Sequence, residues 1–127
     1  MTVRTCLLVS DDPDDHVEFT EALFEISGDV IVLIVPDAKR AADLVLSKRH
    51  VPDFMIVDLA PVNDFSHEDF FTTLHGDPDF EDMFILAYGD YSDYETVKTK
   101  YVSAFLERDT TYSDMRALLR KVVAAEG

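Results

Sequence analysis

The sequence predicts an α/β fold of five strand–helix units, (βα)5, built on a doubly wound parallel sheet. Two observations carry this. Short apolar runs alternate with segments of helical period along the whole chain, with short connections between them. Several runs, VIVLIV above all, are apolar at successive rather than alternate positions, as in strands covered on both faces. Right-handed crossovers then place helices on both sides of the sheet.

The first strand is TCLLVS, residues 5–10. Asp12 reads as a helix N-cap, with Pro13 at the first helical position and Asp14 and Asp15 in the first turn. Phe19, Ala22, Leu23 and Ile26 follow at helical spacing until Gly28. VIVLIV, residues 30–35, is the second strand, and 37–49 is a helix with Ala38, Ala41, Ala42 and Val45 on one face. Pro52 precedes the third strand, FMIVD, which ends at Asp58. Ser66 and Asp69 form a capping box for a helix carrying Phe70, Phe71 and Leu74, and HGDPDFED is a loop. MFILAY is the fourth strand. Ser92 and Glu95 cap a helix with Tyr94, Val97 and Tyr101 inward, VSAFLE is the fifth strand, and Met115, Leu118, Leu119 and Val122 mark the last helix.

With 127 residues the chain reads as one domain, 1–127, long enough to bury a core. Its 26 acidic and 11 basic side chains give a net charge of −15, which argues against nucleic acid or an anionic membrane as partner. The acidity fits a halophilic source or a basic partner face, and both readings stay open. Cys6 stands alone and is expected in the core, and no Cys/His cluster has zinc spacing. His16, among acids, is expected to face solvent. The first apolar stretch, Cys6 to Val9, is too short for a signal peptide or a membrane span, so a soluble cytoplasmic protein is expected.

In sheets of this kind a ligand site lies beyond the carboxyl ends of the strands. The residues there are Ser10 to Asp12, Asp58 to Ala60, Leu86 to Tyr88 and Glu107 to Asp109. Asp11 and Asp58 would pair as ligands for a hard cation such as Mg2+. An aspartate so placed can also attack phosphorus, with Arg108 offering a fixed positive charge to the phosphoryl oxygens. Asp12 is better explained as a cap, because Pro13 follows it. Asp58 ends a strand with no helix starting for several residues, which favours a functional role.

LLVSDDPDD, PDFMIVDL, FILAYGD and AFLERD, in this order and spacing, resemble the CheY-like receiver domain of two-component response regulators, from about Thr5 to Val123. The resemblance implies a flavodoxin-like sheet in the order 2-1-3-4-5 and a non-enzymatic signalling module in a phosphorelay. It implies Asp58 as the phosphoacceptor, with Asp11, Asp58, the Ala60 backbone carbonyl and, weakly, Ser10 around the metal. Arg108 falls on the family's lysine, and Arg108 and Ala87 are expected to contact phosphate. Leu86 falls on the hydroxyl position and Phe105 on the aromatic switch. The expected partners are a sensor histidine kinase or phosphotransfer protein, and a downstream protein reached through residues 92–123.

The departures have physical costs. Ser10 for an acid removes a negative charge from the cation site, so Mg2+, which sheds water reluctantly, is expected to bind weakly. Leu86 cannot hydrogen-bond a phosphoryl oxygen, and Arg108 is bulkier than an ammonium. An atypical receiver with impaired phosphotransfer is therefore expected, with a phosphorylation-independent interaction module as the alternative. A flavin site is disfavoured because SDDPDD would repel phosphate. A haloacid-type phosphatase is disfavoured because position 60 lacks a second aspartate.

Overall fold

The computed structural model describes residues 3–47, 51–59, 67–80, 82–97 and 102–126. Its strands are β1 (Arg4–Val9), β2 (Val30–Val35), β3 (Phe54–Asp58), β4 (Phe84–Gly89) and β5 (Ala104–Glu107). They alternate with helices α1 (Pro13–Ile26), α2 (Ala38–Leu46), α3 (His67–His75), α4 (Tyr91–Val97) and α5 (Tyr112–Glu126). All strand pairs are parallel, and the sheet order is β2-β1-β3-β4-β5, as the sequence implied.

Local chemistry sets the helix starts. Asp12 is extended and accepts a hydrogen bond from the Asp14 amide at 2.9 Å, while Pro13 opens α1. Asp37 caps α2 in the same way, accepting from the Arg40 amide at 2.8 Å. α4 begins earlier than the expected Ser92–Glu95 box. The Asp90 carbonyl already accepts from the Asp93 and Tyr94 amides, so Ser92 lies within the first turn. Ser66 and Tyr101 lie outside the described residues.

Two apolar layers flank the sheet. Leu8, Phe54, Ile56 and Leu86 point toward Phe19 and Leu23 of α1 and Met115 and Leu119 of α5. Leu7, Met55, Val57 and Ala87 point toward Ala41 and Val45 of α2 and Phe70, Phe71 and Leu74 of α3. All five residues of β3 are buried, so the strand that carries Asp58 is held from both sides. Each large aliphatic or aromatic side chain buried there contributes about 1.5–3 kcal/mol. Cys6 is fully buried, as expected, and its thiol is pushed up in pKa by that burial.

β2 corrects an expectation. Its unbroken apolar run is not covered on both faces: the strand is at the sheet edge, and Ile31 and Ile34 remain 53% and 43% exposed. Position in the sheet, not the local pattern, decides that burial.

Candidate functional site

The parallel register brings the carboxyl ends of β1, β3, β4 and β5 together. Val9 pairs with Val57, Asp58 with Tyr88, and Gly89 with Glu107. Backbone bonds extend the ladder one step further: Leu59 donates to the Tyr88 carbonyl at 2.8 Å, and Arg108 to the Gly89 carbonyl at 2.9 Å. Gly89 has φ +150°, and a Cβ there would lie 3.3 Å from the Leu59 Cβ, so a side chain would strain this junction.

Asp58, 7% exposed, is held in this frame. Arg108 donates from Nη2 to Asp58 Oδ1 at 2.7 Å, a charge-assisted bond. Its Nη1 stands 3.7 Å from Asp15 Oδ2 in the first turn of α1. The Tyr88 hydroxyl donates to that same Asp15 oxygen at 3.0 Å. The Tyr88 ring packs on Phe19 at a centroid distance of 4.8 Å, and the Arg108 guanidinium lies 5.6 Å from the Tyr88 ring centroid. Two carboxylates, a guanidinium and a phenol thus form one connected cluster.

The electrostatics agree with that geometry. Burial raises the Asp15 pKa, the Tyr88 hydrogen bond opposes the rise, the charges of Asp12 and Asp58 add to it, and Arg108 opposes it. Tyr88 is pushed up by burial first, and the carboxylates of Asp58 and Asp15 add to the rise, so the phenol keeps its proton and acts as a donor. Burial works to lower the Arg108 pKa, but Asp58 and Asp15 outweigh it and the net movement is upward.

The other expected residues are placed as follows. Ser10 is buried; its hydroxyl accepts from the Asp12 amide at 3.1 Å. His16 is not simply solvent-facing: its Nε2 lies 2.6 Å from the Ser10 carbonyl and donates to it, bracing the β1–α1 turn. Asp11 is exposed, and the carboxylate that joins Asp58 at Arg108 is Asp15. Leu86, expected at the end of β4, lies mid-strand opposite Ile56 and is fully buried. The residue beside Asp58 is Tyr88, which carries a hydroxyl the sequence reading overlooked. Ala87 is fully buried on the α2/α3 face, with Phe105 packed against that cluster, so its side chain points away from Asp58. Ala60 lies outside the described residues.

Phe105 belongs to a different cluster. It stacks on Tyr94 of α4 at 4.3 Å with an interplanar angle of 15°, and Tyr91 meets its edge at 6.3 Å. Between these clusters a cavity of about 450 Å³ is lined by Gly89, Asp90, Tyr91, Glu107, Arg108 and Asp109.

A divalent cation fits this donor set poorly. Ser10 supplies no charge, Asp11 is exposed, and a guanidinium already sits on one oxygen of Asp58. Among the described residues, no three His, Cys, Asp or Glu side chains converge in a way that could hold a metal.

No protein-family model matches the chain, and no curated protein matches it by sequence. Solved structures do match. A signal receiver domain of a signal transduction histidine kinase from Syntrophus aciditrophicus superposes with a TM-score of 0.76 at 15% identity, over 97% of this chain and 92% of that one. The chemotaxis response regulator CheY4 of Vibrio cholerae gives 0.73 at 16% identity, over 95% and 99%. The Mn2+-bound form of the response regulator Rcp1 gives 0.74 at 16% identity, over 94% and 91%. The chain therefore has the flavodoxin-like fold of response-regulator receiver domains. Among the described residues no helix is long and apolar enough to cross a membrane.

Proposed function

We propose that this chain is a receiver module of a two-component phosphorelay that accepts a phosphoryl group at Asp58, inefficiently, and acts through protein–protein contacts. The carrying observation is Asp58 itself: a nearly buried carboxylate at the end of a fully buried strand, with a guanidinium on one oxygen. In the transfer, a carboxylate oxygen of Asp58 forms a bond to phosphorus as the phosphorus–nitrogen bond to a donor phosphohistidine breaks. The leaving imidazole takes up a proton, and Arg108 neutralises charge on the phosphoryl oxygens. The donor is a sensor histidine kinase or phosphotransfer protein, and the output surface is residues 92–123, which carries Tyr94 and Phe105, with Tyr91 packed on them just outside it.

Two features limit efficiency. The same guanidinium must leave or share Oδ1 before that oxygen can attack, and Ser10 contributes no charge toward a metal. They also favour the second reading, an interaction module whose state does not depend on phosphate. Incubation with acetyl phosphate, read by intact-protein mass, separates the two. Slow, partial addition of one phosphoryl group, abolished by Asp58→Asn, supports the first reading. Complete absence of the adduct supports the second, and an adduct that persists in Asp58→Asn contradicts Asp58 as the acceptor.

A further inference from the structure

A half-exposed arginine on a turn ordinarily samples many rotamers, and a surface ion pair holds it weakly. Arg108 is held at more points than that. Its backbone amide is fixed to the Gly89 carbonyl at 2.9 Å. One guanidinium nitrogen reaches Asp58 at 2.7 Å, the other faces Asp15 at 3.7 Å, and the group lies near the Tyr88 ring. Asp15 is in turn oriented by the Tyr88 hydroxyl at 3.0 Å, and Tyr88 is locked against Phe19. Asp58 and Asp15 are 7% and 16% exposed at the side chain, so water screens these contacts less than it would at an open surface.

We propose that Arg108 is the resident cation of this site, with Asp15 and Tyr88 as positioning residues that hold its guanidinium on Asp58, so that the site works without a divalent metal. The proposal rests on the reading of Asp58 as phosphoacceptor for its use, but not for its test. A planar fork can span two carboxylates where an ammonium offers a single point of charge. Its positive charge then does at Asp58 what a bound cation would, and it repels a second cation brought to the same oxygens. The shortage of metal-binding carboxylates and the arginine are two sides of one arrangement: the charge that Ser10 does not supply is not needed to balance a dication.

Titration of the full chain with MgCl2, followed by the amide signals of Leu59, Gly89 and Arg108, is the test. Arg108→Gln removes the resident charge and should bind Mg2+ at least about tenfold more tightly than the unaltered protein, a floor set by the repulsion between a dication and a unit charge about 4 Å apart even with the full screening of bulk water. Arg108→Lys keeps the charge without the fork and should fall between them. If Arg108→Gln binds Mg2+ no more tightly, the proposal is overturned. The positioning role is read from the Arg108 guanidinium proton signals, which restricted rotation should keep resolved in the unaltered protein. Asp15→Asn and Tyr88→Phe, both near-isosteric, should collapse them toward the averaged signal of free arginines; signals unchanged in both variants would overturn that role. Neither measurement involves phosphorylation, so failure of acetyl phosphate to label Asp58 would leave them standing, and the reverse holds too.

Discussion

The two faces of the sheet finish differently at the carboxyl ends of β4 and β5. On the α1/α5 face the strands end in a polar cluster, where Arg108 joins Asp58 at 2.7 Å and Tyr88 joins Asp15 at 3.0 Å. On the opposite face Phe105, the second residue of β5, forms an aromatic stack with Tyr94 at 4.3 Å. The first links are directional and charge-dependent; the second is apolar contact that tolerates small displacements. A change of charge at Asp58 is therefore felt first by Arg108, Asp15 and α1. The polar cluster is joined to α4 by the backbone of β4, whose Gly89–Asp90 end leads into that helix, and by the backbone of β5. Tyr88 makes the difference, because its hydroxyl is committed to Asp15 and its ring to Phe19.

The largest effect is expected from breaking the anchor on the polar side. Tyr88→Ala deletes a ring that is 3% exposed and should cost about 3–5 kcal/mol of stability by urea denaturation. Tyr88→Phe, which loses only the hydroxyl bond, should cost about 1 kcal/mol. Equal costs for the two would mean that the ring contributes nothing. On the apolar side, Phe105→Ala removes a partly buried ring and should cost about 1–2 kcal/mol. Hydrogen exchange should then accelerate in α4 and not in α1; acceleration in both would merge the two regions into one unit.

Smaller effects follow from charge. With a net charge of −15 the melting temperature should rise from low salt to 1 M NaCl (~1 M, where screening is nearly complete), because salt damps self-repulsion. A fall would mean that the acids are already paired. The smallest effect concerns Asp15, whose folded-state pKa is raised above 3.8, mainly by burial. The folded state then holds its proton more tightly than the unfolded state, so Asp15 lowers stability progressively as pH rises from its unfolded value through its raised folded value. The stability of Asp15→Asn relative to the unaltered protein should increase over that window and level off above it. A difference that is flat with pH would contradict the direction of the shift.

Topology was legible in the sequence because alternating apolar runs and helical periods are local signals, and Asp12–Pro13 marked the start of α1 down to the residue. The position of Asp58 was legible because it ends an apolar run, and that of Arg108 because it directly follows the last strand. Most of the differences concern relations between elements distant in sequence. β2 looked doubly covered because its composition cannot reveal that it is at the edge. Matching along one strand puts Leu86 on the hydroxyl position, whereas pairing puts Tyr88 opposite Asp58. The turn signal Gly89–Asp90 directly after Tyr88 marks Tyr88 as the residue nearest that end. His16 reads locally as a surface residue and Asp15 only as a first-turn acid of α1, since nothing local tells that the helix start folds back over the strand ends.

Beryllofluoride with Mg2+, a mimic of the phosphoryl group, tests most directly whether the state of Asp58 stays on the α1 side. Amide shifts should be small and confined to the neighbours of Asp58, Tyr88 and Arg108 and the first turn of α1, leaving Phe105 and α4 in place. Ser10→Asp combined with Tyr88→Thr, which restores a carboxylate and frees the end of β4 from Asp15, should extend the response to α4. Large, saturable shifts at Phe105 and through Tyr91–Val97 in the unaltered protein at low-millimolar Mg2+ would contradict this.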